Sequence, residues 1–239
     1  MSFQLEIDDD LPRDQVLRRY LDLPKLASML MMRSLYLCRS DLLPDRYEGA
    51  FTPSLKRKIS ESYKEKGIDF TYEKFKKELR GGVFLNCWTI GYDDNMALWK
   101  LYGKTNDCVA ITTTVDKIRT TILAPNVNGR FYLRKVKYIK HWQDPDIPIK
   151  PYSNIFSYKL VGYSFEGEAR IICDQFHETF GSTTKNLGVL LPINPSLFIR
   201  SIVVSPEASS WFLKVVKGIV EKYGVKCSLR RSMMAKKPI

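Results

Sequence analysis

The stretch SFEGEARI, residues 164–171, sets two glutamates two positions apart and an arginine two further on, between hydrophobic neighbours. In an extended strand Glu166, Glu168 and Arg170 share one face, while Phe165, Gly167, Ala169 and Ile171 share the other. The charged face is either a site held on a rigid element or the wet side of a sheet. Phe165 is expected to point inward, opposite the glutamates.

Working outward, PYSNIFSYKLVGYSF before the pair brings Tyr152, Phe156, Tyr158, Tyr163 and Phe165 together with Lys159. These residues suit either stacking on a base or a hydrophobic loop packed on the sheet. Earlier still, RFYLRKVKYIK (130–140) alternates as an exposed basic strand, and 144–151 reads as a loop. VFLNCWT (83–89) reads as a buried strand joined by a short connection to the helix NMALWKLYG, which Asp93 or Asp94 opens and Gly103 stops. CVAITTT (108–114) is a further strand, followed by a helix over 115–123 that ends at Pro125.

Nearer the start, Asp22 caps a helix with Pro24 in its first turn, and Leu23, Leu26, Leu30 and Met31 recur at helical spacing. A short strand over 35–38 follows. Thr52-Pro53 and Thr71 open two charged helices that end near Gly67 and at Gly81-Gly82, read as a surface insertion at about 52–81 with charges paired i,i+4. After the glutamates come IRSIVVSP, an amphipathic helix over 207–223 with Gly224 as C-cap, and the strand VKCSLR. Helices spread irregularly among strands predict one α+β domain over 1–239, with a mixed, mostly antiparallel split sheet flanked by helices, rather than a doubly wound parallel sheet. GxGxxG and GxxxxGK[ST] phosphate cradles are both missing.

The 239 residues are 44% hydrophobic and 27% charged, and 38 Lys+Arg against 26 Asp+Glu give a formal charge of +12. Such a balance favours anionic partners, nucleic acid among them, over a merely solvated surface. The basic residues cluster: five lie between Arg130 and Lys140 with no acid from 117 to 143, and eight follow Trp211 against Glu221 alone. Five scattered cysteines without a CxxC fit a reducing compartment better than a disulfide framework, so a cytoplasmic location is expected. Cys173 and His177 have a ligand-like spacing with no second pair to complete zinc. No secretory signal and no apolar run of about 20 residues is present, so no membrane association is expected.

Three constellations besides the glutamates carry chemistry. Arg19 and Tyr20 precede the helix that Asp22 caps, where an arginine serves either a phosphate or a structural ion pair. CRSDLLPDRYEG (38–49) gathers Arg39, Asp41, Asp45 and Glu48; three carboxylates suit Mg²⁺ in a nuclease, but no lysine follows at the matching spacing and such acids also cap turns. Asn86, Trp88, Thr89, Trp99 and Tyr102 stand at a strand end and on the next helix, where polar groups beside aromatics suit a planar ligand. Trp99 reads as core; Asn86 and Tyr102 stay open.

The runs RRYLDLPKLASMLMMRSLYLCRSDLLPDRYEG, NCWT…NMALWKLYG, SFEGEAR and VVSPEAS together resemble an uncharacterised prokaryotic family, domain of unknown function twenty-nine seventy-one, which carries no reaction. More distantly, Arg19, the strand FLNCWT and Glu166-Gly167-Glu168 occur in the order of the first-strand Arg, the S-T-S strand and the late E-x-E strand. That order is similar to ADP-ribosyltransferases of the arginine, serine, glutamate class, and FLNCWTIGYDDNMALWKLYG is similar to their DNA-modifying toxin branch. Here Asn86 replaces a serine, Trp88 interrupts the motif and Thr89 keeps a hydroxyl.

That resemblance implies an ADP-ribosyltransferase-like fold, NAD as substrate and no metal. Glu168 would stabilise the oxocarbenium-like ribose, Glu166 would bind or deprotonate the acceptor, and Arg19 with Tyr20 would meet the diphosphate. Asn86, Thr89 and Tyr102 would contact NAD, and Tyr158, Lys159 and Tyr163 would lie in the target-recognition loop. The implied acceptor is nucleic acid, with protein second, in a toxin or phage-defence effector with an antitoxin or defence-system partner. The rival expectations are a non-catalytic basic nucleic-acid-binding module and, third, the Mg²⁺ nuclease. The oligomeric state stays open.

Overall fold

A computed structural model describes residues 4–45, 47–67, 71–103, 105–122, 127–148, 150–176 and 186–236. The expected helix end at Leu123 and Pro125, and the His177 of the Cys173 pair, lie outside these residues. β1 (Leu5–Ile7) and β2 (Val16–Asp22) open the chain, and Asp22 caps α1 (Leu23–Met32) by accepting the Lys25 N–H at 2.9 Å. β3 (Ser34–Arg39) follows. Thr52 and Thr71 cap α2 (Pro53–Glu65) and α3 (Tyr72–Gly82) through their hydroxyls. Next come β4 (Val83–Ile90) and α4 (Met96–Gly103). The cap of α4 is Asn95, which accepts the Ala97 N–H at 2.8 Å, rather than Asp93 or Asp94; Asp94 instead takes the Trp99 indole N–H at 3.0 Å.

The remaining elements are β5 (Cys108–Thr114), α5 (Val115–Thr121), β6 (Arg130–Lys135), β7 (Lys137–Ile139) and β8 (Tyr158–Leu160). After them run β9 (Glu168–Asp174), β10 (Gly188–Pro192), α6 (Pro195–Phe198), β11 (Ser201–Val204), α7 (Ser210–Lys222) and β12 (Ser228–Arg231). A ten-stranded sheet follows the order β1-β6-β9-β4-β2-β5-β11-β12, with β3 bonded to β4 and β10. Among the described residues of this sheet only the marginal pairs β1·β6 and β11·β12 are parallel; β7 and β8 form a separate parallel ribbon. The chain is thus a mixed α+β domain with a mostly antiparallel sheet flanked by helices, as its element pattern predicts.

The sheet forks at its centre. β2 and β4 pair only at Leu17↔Ile90 and Arg18↔Thr89. Beyond that, β2 runs on along β5 as far as Asp22↔Cys108, while β4 takes β3 at Leu85↔Cys38 and Phe84↔Arg39. On one face α1, α5 and α7 bury Leu26, Ile118 and Phe212 against Leu17, Trp88, Ile111 and Ile171 in the main core. Each such side chain contributes roughly 1.5–3 kcal/mol.

Two separate covers protect the other face. Leu55, Ile59, Phe75 and Leu79 of α2 and α3 pack on Val83, Leu85, Tyr132 and Ile172, so the 52–81 helices form a structural layer with their charges outward. Leu98 and Trp99 of α4 pack on Tyr20, Ala110 and Val203. The basic run 130–140 is not an exposed strand: Phe131, Tyr132 and Leu133 are buried, because β6 lies between β1 and β9.

Candidate active site

Between the two covers, at the fork, a cavity of about 490 Å³ opens, within the roughly 300–1,000 Å³ of small-molecule sites. β2 contributes Arg18, Arg19 and Tyr20, and β4 contributes Leu85, Cys87 and Thr89. Leu43, Pro44, Asp45 and Glu48 of the loop after β3 form a second wall, and Leu101 and Tyr102 at the end of α4 form a third. Lys159, Tyr163, Glu166, Glu168 and Arg170 close the cavity.

Arg19 is the first β2 residue past the last β2–β4 pair. The gap there lets its side chain reach the cavity although Leu17 and Leu21 lie in the core. Its Nη1 has no hydrogen-bond partner. Burial pulls the Arg19 guanidinium below its ordinary value, and the Glu168 carboxylate opposes that shift through its charge. A desolvated cation of this kind is best relieved by an anionic ligand.

The glutamate pair is not on the wet side of a sheet. Glu166, Glu168 and Arg170 are 3%, 5% and 1% exposed. Glu166 ends a 3₁₀ turn over 161–166, and Gly167, at φ +49°, swings the chain into β9, so only Glu168 and Arg170 belong to the strand. The same turn leaves Phe165 50% exposed rather than inward.

Both glutamates still converge on one ammonium. Lys159 Nζ donates to Glu166 at 2.5 Å and to Glu168 at 3.4 Å, and lies 4.6 Å from the Tyr163 ring centroid. Tyr102 donates its hydroxyl to the other oxygen of Glu166 at 2.6 Å. Arg170 grips both oxygens of Glu168, each at 2.9 Å. Its remaining hydrogens go to Glu48, with Nη2 at 3.0 Å and Nη1 closer, and to the Phe156 carbonyl at 2.7 Å.

These contacts decide the charge states. Burial alone would raise the Glu168 carboxyl, but Arg170 and Lys159 outweigh it and hold the group at about 2. For Lys159 burial pulls downward while Glu168 and Glu166 pull up, and the net direction is up. Burial and the bond to Glu166 push the Tyr102 hydroxyl upward, so it stays a donor. Glu168 is therefore a fixed anion facing a cavity that also holds an unsatisfied arginine.

Of the residues singled out in the sequence, Arg19, Tyr20, Asp45, Glu48, Trp88, Thr89, Tyr102, Lys159, Tyr163, Glu166, Glu168 and Arg170 line the cavity. Asn86 does not: it shares the core-facing side of β4 with Trp88, accepts that indole at 2.6 Å and donates to the Tyr36 carbonyl at 2.9 Å. Tyr158 packs against the α2–α3 cluster instead. Tyr20 is anchored, its hydroxyl accepting the Asn95 N–H at 3.0 Å and its ring edge-on to Trp99.

The acids of the 38–49 run separate. Asp41 bonds Arg39 at 2.7 Å, Asp45 accepts the Tyr47 N–H at 2.8 Å, and Glu48 is buried on Arg170. No group of three or more His, Cys, Asp or Glu able to hold a metal occurs among the described residues. Sequence reasoning missed Arg18, Cys38 and Cys87 as cavity residues and Glu48 as a partner of the E-x-E strand. Period-two alternation with Thr89 would have found Cys87, whereas nothing local points from Glu48 to a strand 122 positions away.

No protein-family model matches the chain and no curated protein does, so the likeness to the uncharacterised family rests on the quoted motifs alone. Among solved structures, the chain is similar to Thermus sp. 2.9 DarT in complex with carba-NAD+, at 10% identity and a TM-score of 0.40 over 93% of this chain and 97% of that one. The same protein in complex with ADP-ribosylated ssDNA gives 10% identity and 0.41 over 94% and 96%. In complex with NAD+ it gives 8% and 0.40 over 94% and 98%. Likeness at that level carries no functional argument.

Proposed function

We propose that the chain is an NAD⁺-dependent ADP-ribosyltransferase whose acceptor is a nucleic acid. The observation that supports it is the cavity at the sheet fork that both Arg19, without a partner at Nη1, and Glu168, held ionised, line. Arg19 would take the diphosphate, and Thr89 and Tyr20 would line the path between that end and Glu168. The bond from C1′ of the nicotinamide ribose to the pyridinium nitrogen breaks, nicotinamide leaves with the electron pair, and the positive charge on the ribose lies beside Glu168. The acceptor then bonds C1′ and its proton passes to Glu166. The reaction needs no metal.

Nucleic acid as acceptor is supported by the +12 formal charge and by Tyr102, an aromatic that lines the cavity and is 40% exposed, which suits stacking on a base. ³²P-NAD⁺ incubated with single-stranded DNA, RNA or cell lysate tests the reading. Label should enter nucleic acid, and Glu168→Gln should lower transfer by about 100- to 1,000-fold, the usual cost of one transition-state electrostatic partner. Label in no acceptor, or undiminished transfer by folded Glu168→Gln, would contradict it.

A further inference from the structure

The five N–H hydrogens of Arg170 are all assigned, and none goes to the cavity. Two hold Glu168, two hold Glu48 and one holds the Phe156 carbonyl. Glu48 reaches Arg170 from the loop whose Leu43, Pro44 and Asp45 wall the same cavity. The following residue, Gly49, sits at φ +62°, and a Cβ there would come within 2.6 Å of the Phe156 ring, so the loop is seated tightly where Glu48 enters.

We propose that Arg170 and Glu48 are positioning residues: the guanidinium fixes the orientation and charge of the Glu168 carboxylate, and Glu48 fixes the guanidinium. The proposal rests on reading Glu168 as the carboxylate beside the reacting ribose. A planar fork that meets both oxygens leaves the carboxylate one orientation, whereas an ammonium is a point contact that leaves it free to turn. Lys159 supplies only that weaker contact, at 3.4 Å, and is shared with Glu166. The other groups acting on Glu168 are the Cys87 thiol, kept protonated by burial, the Tyr102 and Tyr138 hydroxyls, both pushed upward by burial, and Arg19; Tyr138 accepts the Glu168 backbone N–H at 2.8 Å rather than meeting its carboxylate. Among the described residues, the Glu48–Arg170 pair therefore does what no other neighbour can.

Single removal of Glu48 or Arg170 strands a buried charge, so the test removes both. In Glu48→Gln/Arg170→Met the Glu168 side-chain carboxyl carbon is followed by ¹³C NMR titration beside the wild type, with nicotinamide release and NAD⁺ affinity measured in parallel. The wild-type carbon should show no titration above about pH 3, whereas the double variant should titrate at a pH roughly 2 higher or more, because burial is no longer offset. NAD⁺ affinity should stay within about threefold while turnover falls at least about 100-fold. An unchanged Glu168 titration would overturn the proposal.

If the double variant does not fold, Arg170→Lys, which keeps the charge but loses the two-point grip, decides the matter in the same way: a titration that moves up supports the proposal, and one that stays overturns it. Failure of the wild type to cleave NAD⁺ would remove the enzymatic reading, while the titration would still decide whether Arg170 and Glu48 set Glu168.

Discussion

Glu168, the carboxylate assigned to the proposed reaction, also couples stability to pH. Its carboxyl falls from the ordinary 4.5 to about 2 in the folded protein, a depression worth roughly 3 kcal/mol at neutral pH. For a depressed carboxyl the contribution is complete above the unfolded value and is lost as pH falls through the folded one. The melting temperature should thus drop between about pH 5 and pH 2, and Glu168→Gln should flatten that limb; an equally steep limb in the variant would show that other carboxylates govern it. Arg19→Ala should weaken NAD⁺ binding by roughly 10- to 100-fold, the loss of a charge-assisted contact, with calorimetry as the check. At this scale Glu166 and Glu168 were legible as a pair from their spacing, but their burial was not. It depends on Lys159, Tyr102 and Glu48 arriving from three other segments.

Among the elements, those with local chemistry were legible: Asp22, Thr52 and Thr71 mark helix starts because the capping side chain and its N–H lie within three residues. The α4 cap shifted from the aspartates to Asn95 because Tyr20 and Trp99 fix the entry to that helix. Asn95→Ala should cost about 1 kcal/mol and, by loosening Tyr102, weaken its bond to Glu166. The turn over 161–166 escaped the alternating pattern since Gly167 in the left-handed region lets an apparently continuous strand break. Gly49→Ala, with φ +62° and the Phe156 ring in the way, should destabilise the protein by about 1–3 kcal/mol in denaturant unfolding. A loss below a few tenths would mean that the loop yields freely. The fork was legible only as a split sheet; its position follows from β3 displacing β2 along β4, a long-range pairing that no local signal encodes.

Across the whole molecule the basic excess is partly consumed at home. Arg134 bonds Glu6 at 2.6 Å and Asp8 at 2.7 Å, and Lys135 meets Asp10 at 3.3 Å, so the acidic start of the chain covers part of the 130–140 run. Lys137 and Lys140 stay exposed. If nucleic acid is the acceptor, its binding should weaken steeply between low and physiological salt, and Lys137→Gln/Lys140→Gln should reduce it without changing NAD⁺ affinity. Salt-independent binding would set aside a phosphate-contacting surface. No helix among the described residues is long and apolar enough to cross a membrane. One ligand reaching from Arg19 to Glu168 is what the proposed reaction requires, and a crystal structure with a non-hydrolysable NAD⁺ analogue checks it. The diphosphate should lie on the Arg19 guanidinium with C1′ of the nicotinamide ribose beside the Glu168 carboxylate, whereas an empty fork, or a diphosphate bound away from Arg19, would rule the proposed reaction out.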